Sequence, residues 1–408
     1  MADGYAWWLA QTPGWGAVRL RQLVECMGTE KHIWDQMTIC DSPETYLQWI
    51  RTAWESLDDA ARGEILRIKP QDVRRLWEHR NQITRSQEEY HRWKETGIRF
   101  VTQSDPEYPQ RLKEIYDPPY ALYVRGNLPR EDRKSAAVIG ARACTGYGIQ
   151  QGRRLARELA AEGVQIISGL AYGVDSEGHW GALESGVPGA TYAVLGCGVD
   201  VCYPSEHEKL VEKILEQGGG ILSEFPMGTQ PMPGQFPMRN RIISGLSDCI
   251  LVIEARKRSG SLITVDQALE QGREVFALPG RIGDKLSEGC LHLIRNGANV
   301  LMESGDVISY LYPNMIESGD GNGKTAKKYQ EKGENIAIEG RRFSAFDIKV
   351  SSSKRNAVYS VLDCVGKTME EIMNLTDLPL EEVRAQLLDL LLEDQILETV
   401  KGYYSLRL

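Results

Sequence analysis

Two clusters of cationic and small polar residues are the first candidates for chemistry in this sequence. They are Arg239, Asn240, Arg241, Ser259, Gly260 and Ser261. The first cluster precedes an apolar helical run, and the second follows an apolar strand-like run and opens a helical one. Strand ends and helix starts in a doubly wound sheet present backbone N–H groups along one edge, where anions bind. The clusters therefore predict an edge that binds phosphate.

The stretch 236–281, which contains both clusters, is basic within an acidic protein. It has seven Lys or Arg and five Asp or Glu residues, a net charge of +2, whereas all 408 residues together carry −9. The acidic total argues against coating of duplex DNA by bulk charge, because such binding scales with the phosphates neutralised. A small basic cleft remains possible, since the local field depends on where the charges lie.

Other loops between predicted strands and helices add small or charged residues to the same edge. GARACTGYG contains glycines that allow close backbone approach, and an arginine that can form two hydrogen bonds with one phosphate. SGLAYGVDSEGH ends a strand in Ser and Gly, and GCGVDVCYPSEH places Tyr203 and Pro204 before a helix. The candidate site residues from the first two loops are Gly140, Arg142, Thr145, Gly146, Ser168 and Gly169.

Asp175 and His179 lie one helical turn apart in the second of these loops and the helix after it. We interpret Asp175 as a helix cap and His179 as a packed or hydrogen-bonded side chain. Acid–base chemistry by this pair is the alternative, and the sequence leaves it open.

The familiar patterns of enzymes are absent from this sequence. GARACTGYG departs from GxGxxG, and there is no GxxxxGK[ST], GxSxG or HExxH. The eight cysteines form no CxxC pair and no His/Cys cluster at metal-ligand spacing. We therefore expect a binding protein rather than an enzyme, with no metal and no cofactor. We also expect a cytoplasmic chain, because no export signal and no membrane-spanning run is recognisable.

The elements that carry these loops predict an α/β fold. Helical segments separate the apolar runs, which favours right-handed crossovers and a mostly parallel sheet. The predicted strands are residues 136–140, 164–169, 191–196, 221–225, 249–255 and 274–280.

Composition divides the chain into four predicted segments: 1–100, 101–312, 313–352 and 353–408. The first is helical, contains eight of the nine tryptophans and opens with a hairpin at TPGWG; the second is the α/β domain. The third is a polar, Gly-rich linker. The last has the element order of a winged helix but a net charge of −4. Such a charge favours a protein partner or an intramolecular role over duplex binding.

The motifs in order resemble the DNA-processing proteins called DprA or Smf, over roughly residues 102–302. They include VIGARACTGYG, ISGLAYGVDSEGH, AVLGCGVDVCYP, FPMRNRIISGLS, VIEARKRSGSLIT and GREVFALPGR. The resemblance implies an extended Rossmann-like domain, with a SAM-like or helix-hairpin-helix-like N-terminal domain and a C-terminal winged helix. It also implies a cytoplasmic homodimer that protects incoming single-stranded DNA and loads RecA onto it in natural transformation and recombination.

The same resemblance places the two opening clusters, with Arg142, Ser168 and Gly169, in the strand-binding pocket. Stacking of bases on Phe236 or Tyr203 would add to these contacts, as aromatic side chains do for single strands. Gly140, Thr145, Gly146 and Thr264 are further candidate DNA contacts, and Asp175 and His179 are candidate pocket or structural residues. The alternative is a nucleotide-binding or nucleoside-monophosphate-processing Rossmann protein. The phosphoribohydrolases of that class need a glutamate in a PGGxGTxxE loop, where this chain has Val265 and Asp266.

Overall fold

The computed structural model describes residues 4–57, 66–313, 357–362, 366–392, 395–400 and 402–406. They fall into two compact units, which are described separately. The first contains Met1–Cys144 and Gly148–Ser304, and the second contains Thr145–Tyr147 and Gly305–Leu408. No helix among the described residues is long and apolar enough to cross a membrane.

Helices form the N-terminal part of the first unit, as predicted. Side-chain caps fix two of their starts: Thr29 accepts a hydrogen bond from the His32 N–H, and Ser42 accepts one from the Thr45 N–H. The helices are α1 (Gly4–Ala10), α2 (Ala17–Met27), α3 (Glu30–Ile39), α4 (Pro43–Ser56), α5 (Pro70–His79) and α6 (Ile83–Glu95). The predicted hairpin is the turn between α1 and α2.

A nine-stranded sheet follows these helices, in the order β1-β2-β6-β5-β4-β3-β7-β8-β9. Neighbouring strands from β6 to β9 are parallel, whereas the β1–β2 and β2–β6 pairs are antiparallel. The strands are β1 (Ile98–Thr102), β2 (Ala121–Gly126), β3 (Ser135–Ile139), β4 (Gln165–Ser168), β5 (Thr191–Val194), β6 (Gly220–Ser223), β7 (Cys249–Val252), β8 (Glu274–Ala277) and β9 (Asn299–Val300).

The crossover helices alternate with the parallel strands. They are α8 (Gly146–Ala161), α9 (Val174–Glu184), α10 (Glu208–Glu216), α11 (Gln235–Gly245), α12 (Gly260–Glu270) and α13 (Glu288–Arg295). The short helix α7 (Gln110–Lys113) precedes β2, and α14 (Ser304–Leu311) follows β9. Strands β3 to β8 are fully buried apart from Glu274, because helices cover the sheet.

These findings confirm the α/β class and the mostly parallel sheet. Each of the six predicted strands is present, shifted at its ends by up to three residues. Strands β1, β2 and β9 were missed: the first two extend the sheet in antiparallel fashion within a proline-marked stretch, and the third has only two residues.

The helical segment and the sheet share apolar packing. Trp7, which is 1% exposed, makes edge-on ring contacts with Phe100 of β1 and Tyr123 of β2, with centroids 5.2 and 5.1 Å apart. Such aromatic pairs add to the stabilisation from burial. The boundary at residue 100 stays a prediction.

The C-terminal part of the second unit packs around its own apolar core, which includes Val358, Ile372, Val383 and Leu387. Its elements follow the predicted order, with the addition of β10. They are α15 (Ala357–Val361), β10 (Lys367–Thr368), α16 (Met369–Thr376), α17 (Leu380–Leu392), β11 (Ile396–Val400) and β12 (Tyr403–Leu406). The predicted linker, 313–352, lies outside the described residues except for its first residue.

Candidate phosphate-binding site

The loops after β3 and β7 meet where the order of the parallel strands reverses. Ligands of doubly wound sheets bind in the crevice at this point, beyond the carboxyl ends of the strands. A Cβ at Gly140 would come within 2.9 Å of the Glu254 carbonyl oxygen, so the two loops touch there. Gly173, with φ +74°, packs equally closely on the Arg142 carbonyl and brings in the loop after β4.

Arg239 of α11 is buried beneath these loops, with 4% of its surface exposed. Its Nη1 donates hydrogen bonds to the carbonyl oxygens of Gly169, at 2.7 Å, and Val194. Burial lowers the pKa of Arg239 to about 10, and the nearby Asp175 carboxylate opposes that shift. Arg239 therefore holds the ends of β4 and β5 together, and its charge lies under the surface.

Asp175 and His179 of α9 are structural in this arrangement. The Asp175 carboxylate accepts a hydrogen bond from the Gly169 N–H at 3.2 Å, and burial raises its pKa against the pull of Arg239. His179 is fully buried, its Nδ1 lies 2.7 Å from Thr191 Oγ1, and burial lowers its pKa to about 3. A buried, neutral imidazole is poorly suited to proton transfer with a ligand at the surface.

Phe236, at the start of α11, is the centre of a cation and aromatic cluster. The guanidinium of exposed Arg142 lies 5.3 Å from its ring centroid, and that of Arg239 lies 5.9 Å away. The ring of Tyr203, which is 41% exposed, lies 5.6 Å from the same centroid. The surface therefore offers one exposed cation and two partly exposed aromatic faces.

Arg241 is held inside the protein by two carboxylates. Its Nη1 and Nη2 pair with the two oxygens of Glu224 at 2.9 and 2.6 Å, and its Nε donates to Asp117 at 3.3 Å. Only 8% of Arg241 is exposed, so its guanidinium links α11 to Glu224 and Asp117 inside the protein. Asn240, between the two arginines, is half-buried.

The N-terminus of α12 lies at the next loop along the same sheet edge, after β7. Ser259 caps the helix by accepting a hydrogen bond from the Ser261 N–H at 3.4 Å, and Gly260 is exposed with open space around it. Arg256, Lys257 and Arg258 precede the cap and are exposed. The helix start and the three cations both favour an anion here.

Three other predicted site residues face inward or are fixed in the fold. Ser168 is fully buried and donates its hydroxyl hydrogen to the Val138 carbonyl oxygen at 2.6 Å. Thr264 is 2% exposed on α12. Gly169 is fixed between Arg239 and Asp175. These residues shape the edge from below, and their burial argues against direct contact with DNA.

A carboxylate lies against the first turn of α8, where a dinucleotide-binding fold would hold a phosphate. A Cβ at Gly148 would come within 2.5 Å of Glu254 Oε2, and Glu254 is 4% exposed. An acidic group at a helix start stabilises the helix through its dipole. Gly146 begins α8 and Thr145 is exposed before it; both belong to the second unit.

Of the residues predicted from the sequence, the fold brings Arg142, Phe236 and Arg239 together. Glu254 carries no local signal in the sequence, because its approach to α8 depends on the neighbouring strands. Arg256–Arg258 are visible in the sequence as a basic run after a predicted strand. Among the described residues, no group of three His, Cys, Asp or Glu side chains is arranged to hold a metal ion.

The fold and this edge define a doubly wound α/β protein with a basic, aromatic surface beyond its parallel strands. Residues 99–312 match the family model described as DNA recombination-mediator protein A. The chain therefore belongs to the DprA/Smf family of DNA-processing proteins.

Named relatives support this membership. Protein Smf of Escherichia coli is 46% identical over 220 residues, which cover 54% of this chain and only 58% of that protein. The DNA processing protein DprA of Streptococcus pneumoniae is 46% identical over 202 residues, covering 50% of this chain and 70% of its own length. Its crystal structure covers 76% of this chain and 98% of its own, at 32% identity and a TM-score of 0.58.

Proposed function

We propose that this protein binds single-stranded DNA along the loops after β3 and β7. The observation that carries the proposal is the exposed Arg142 guanidinium over the Phe236 ring, with Tyr203 beside it. A single strand offers both partners at once, because its phosphates pair with arginine and its unpaired bases stack on aromatic rings. A duplex keeps its base faces covered and offers only phosphates.

The α12 start extends this surface in the proposal. Exposed Arg256, Lys257 and Arg258 neutralise phosphates, while the N–H groups and hydroxyls near Ser259 and Ser261 donate hydrogen bonds to phosphate oxygens. Arg239 and Asp175 keep the underlying loops in place. No bond of the DNA is made or broken in this function, in line with the recombination-mediator description of the family.

The test is a salt titration of binding to an oligo-dT strand and to a matched duplex. We expect wild type to prefer the single strand, and Arg142→Ala to bind it more weakly with a salt slope smaller by about 0.7. Lys209→Ala, which removes an exposed cation on α10, is the matched control. Unchanged affinity and salt slope in Arg142→Ala would show that Arg142 does not contact the DNA. A wild-type protein that binds neither nucleic acid would contradict the proposal.

Nucleotide binding or processing remains the competing function. The Glu254 carboxylate at the first turn of α8 weighs against it, because a nucleotide phosphate there would meet a negative charge. Release of free base from a nucleoside monophosphate by the purified protein would favour it.

We further propose that the chain forms a homodimer and loads RecA onto the bound strand, as the family resemblance implies. A dimer would gain affinity for long strands through effective concentration. Light scattering tests the dimer. RecA ATPase on strands covered by a single-strand-binding protein tests loading: stimulation by this chain is expected, and the absence of stimulation would leave only DNA binding.

The remaining assignments are also part of the proposal: cytoplasmic localisation, a SAM-like or helix-hairpin-helix-like fold for α1–α6, and a winged helix for α15–β12. The exposed face of α17 includes Glu381, Glu382 and Asp389. Acidic groups on the helix that would enter a DNA groove disfavour duplex binding, so we assign this part a protein-facing or intramolecular role.

A further inference from the structure

A basic groove lies on the helical segment of the first unit, outside the loops described above. Its volume is about 590 Å³, and the charged residues that line it are Arg19, Arg67, Lys69, Asp72 and Arg75. Among the described residues of this lining, four are cations and one is an acid. Arg67, Lys69 and Arg75 are exposed to solvent.

The single acid is used within the fold. Asp72 is 1% exposed, and its carboxylate accepts hydrogen bonds from Arg19 Nη1 and from the Lys69 N–H. Trp15 Nε1 donates to its carbonyl oxygen at 3.0 Å. Asp72 offsets the charge of Arg19, and the exposed Lys69 and Arg75 add positive charge to the groove.

One of these cations lies at the turn between α1 and α2. Gly14 has φ +76° and leaves room for the Arg75 guanidinium, because a Cβ there would meet Nη1 of Arg75. The Arg75 guanidinium therefore lies on this turn.

An exposed aromatic ring borders the groove and narrows the choice of ligand. Tyr116 is 73% exposed, and its hydroxyl lies 3.5 Å from Arg67 Nη2. A large ring left in water beside cations is the arrangement that binds single-stranded nucleic acid, because bases stack on the ring and phosphates pair with the cations. A simple anion would not need the ring.

The chain also links this groove to the proposed DNA surface. Asp117, next to Tyr116, pairs with Arg241 of α11. Phe236 lies five residues earlier in the same helix, about 7.5 Å along its axis. Met238, which is 53% exposed, lies between Phe236 and Arg241 in the sequence of α11. Tyr116 therefore lies beside the helix that carries Phe236.

We propose that the groove, with Tyr116 at its border, is a second binding surface for the same nucleic-acid single strand. It takes the nucleotides that extend beyond the Phe236 cluster, and it makes affinity grow with strand length. This inference rests on the proposed function, since it needs a strand bound at that cluster.

The experiment compares binding of dT strands of about 6 and about 20 nucleotides, lengths that bracket common single-strand site sizes. The variants are Tyr116→Ala and the double variant Lys69→Ala with Arg75→Ala. On the long strand we expect about a tenfold loss for Tyr116→Ala. For the double variant, we expect a salt slope smaller by about 1.4. On the short strand both variants match wild type.

Controls separate this result from general effects. Tyr116→Phe keeps the ring and keeps the long-strand affinity, whereas Arg157→Ala with Lys209→Ala removes two exposed cations elsewhere and leaves it unchanged. Three results would each contradict binding of DNA in the groove. They are unchanged long-strand affinity in the groove variants, equal losses of affinity on both strand lengths, and an equal loss in the Arg157→Ala with Lys209→Ala control. Short-strand binding by wild type, and its loss in Arg142→Ala, test the proposed function separately.

Discussion

At the residue scale, the buried guanidinium of Arg239 holds the candidate phosphate-binding edge together. It bonds to carbonyl groups at the ends of two adjacent strands and lies beside Asp175, whose carboxylate binds the Gly169 N–H. The two charges compensate each other inside the protein, so neither can be removed alone without leaving the other unpaired.

Arg239→Met is therefore expected to lower the free energy of unfolding by about 3–5 kcal/mol. Urea denaturation followed by circular dichroism measures this. Arg142→Ala is the control: it removes an exposed arginine from the same cluster, and we expect a change within about 0.5 kcal/mol. An Arg239→Met protein as stable as wild type would show that the buried pair does not fix the loops.

His179 predicts how stability depends on pH. Its pKa is lowered from 6.5 to about 3 in the folded protein, so between these values the unfolded chain binds more protons. The contribution of the neutral, buried His179 to the free energy of unfolding is complete well above pH 6.5, and it is lost as the pH falls toward 3. Between pH 6.5 and 5, wild type should lose about 1.5 kcal/mol more of unfolding free energy than His179→Gln. Equal losses would mean that His179 is protonated in the folded state.

At the scale of elements, α11 combines support and recognition on one helix. Arg239 and Arg241 anchor it from inside, and the Phe236 ring lies under the exposed Arg142 guanidinium, where we propose that DNA binds. The packing of α8 against α9 supports the same edge. It depends on Gly181 of α9, where a Cβ would collide with the Arg153 carbonyl oxygen of α8.

Gly181→Ala is expected to destabilise the protein by about 1–3 kcal/mol, because the added methyl group must push the two helices apart. Gly152→Ala is a matched control on α8, since a Cβ there meets nothing closer than 3.8 Å. It should stabilise the protein by up to about 1 kcal/mol through helix propensity. Thermal melts compare the two variants, and equal effects of the same sign would contradict this packing.

At the scale of the whole molecule, the proposed DNA surface belongs to the first unit, because Arg142, Phe236 and Tyr203 all lie there. The acidic C-terminal elements have their own core. We therefore expect deletion of residues 350–408 to leave single-strand affinity within about twofold, because no phosphate contact is removed. Fluorescence anisotropy with oligo-dT measures this. A tenfold or larger loss would assign those elements a direct part in binding.

The sequence by itself determined the α/β class and the six strands β3–β8 of the parallel part of the sheet. These features follow from hydrophobic periodicity and from turn signals, which are local. It also predicted Arg142 and the Ser259–Ser261 cap as site residues, because residues that follow strands or open helices in a doubly wound sheet share one edge.

Only the tertiary structure decided which of the candidate arginines is exposed at this edge. Arg239 and Arg241 lie two residues apart in a basic motif, yet one holds strand ends and the other pairs with Glu224, 17 residues earlier in the chain. Arg142 is the exposed one. The groove beside Tyr116 also arises from segments distant in sequence. Burial and ion pairing depend on the neighbours that folding supplies, and no local pattern of residues contains them.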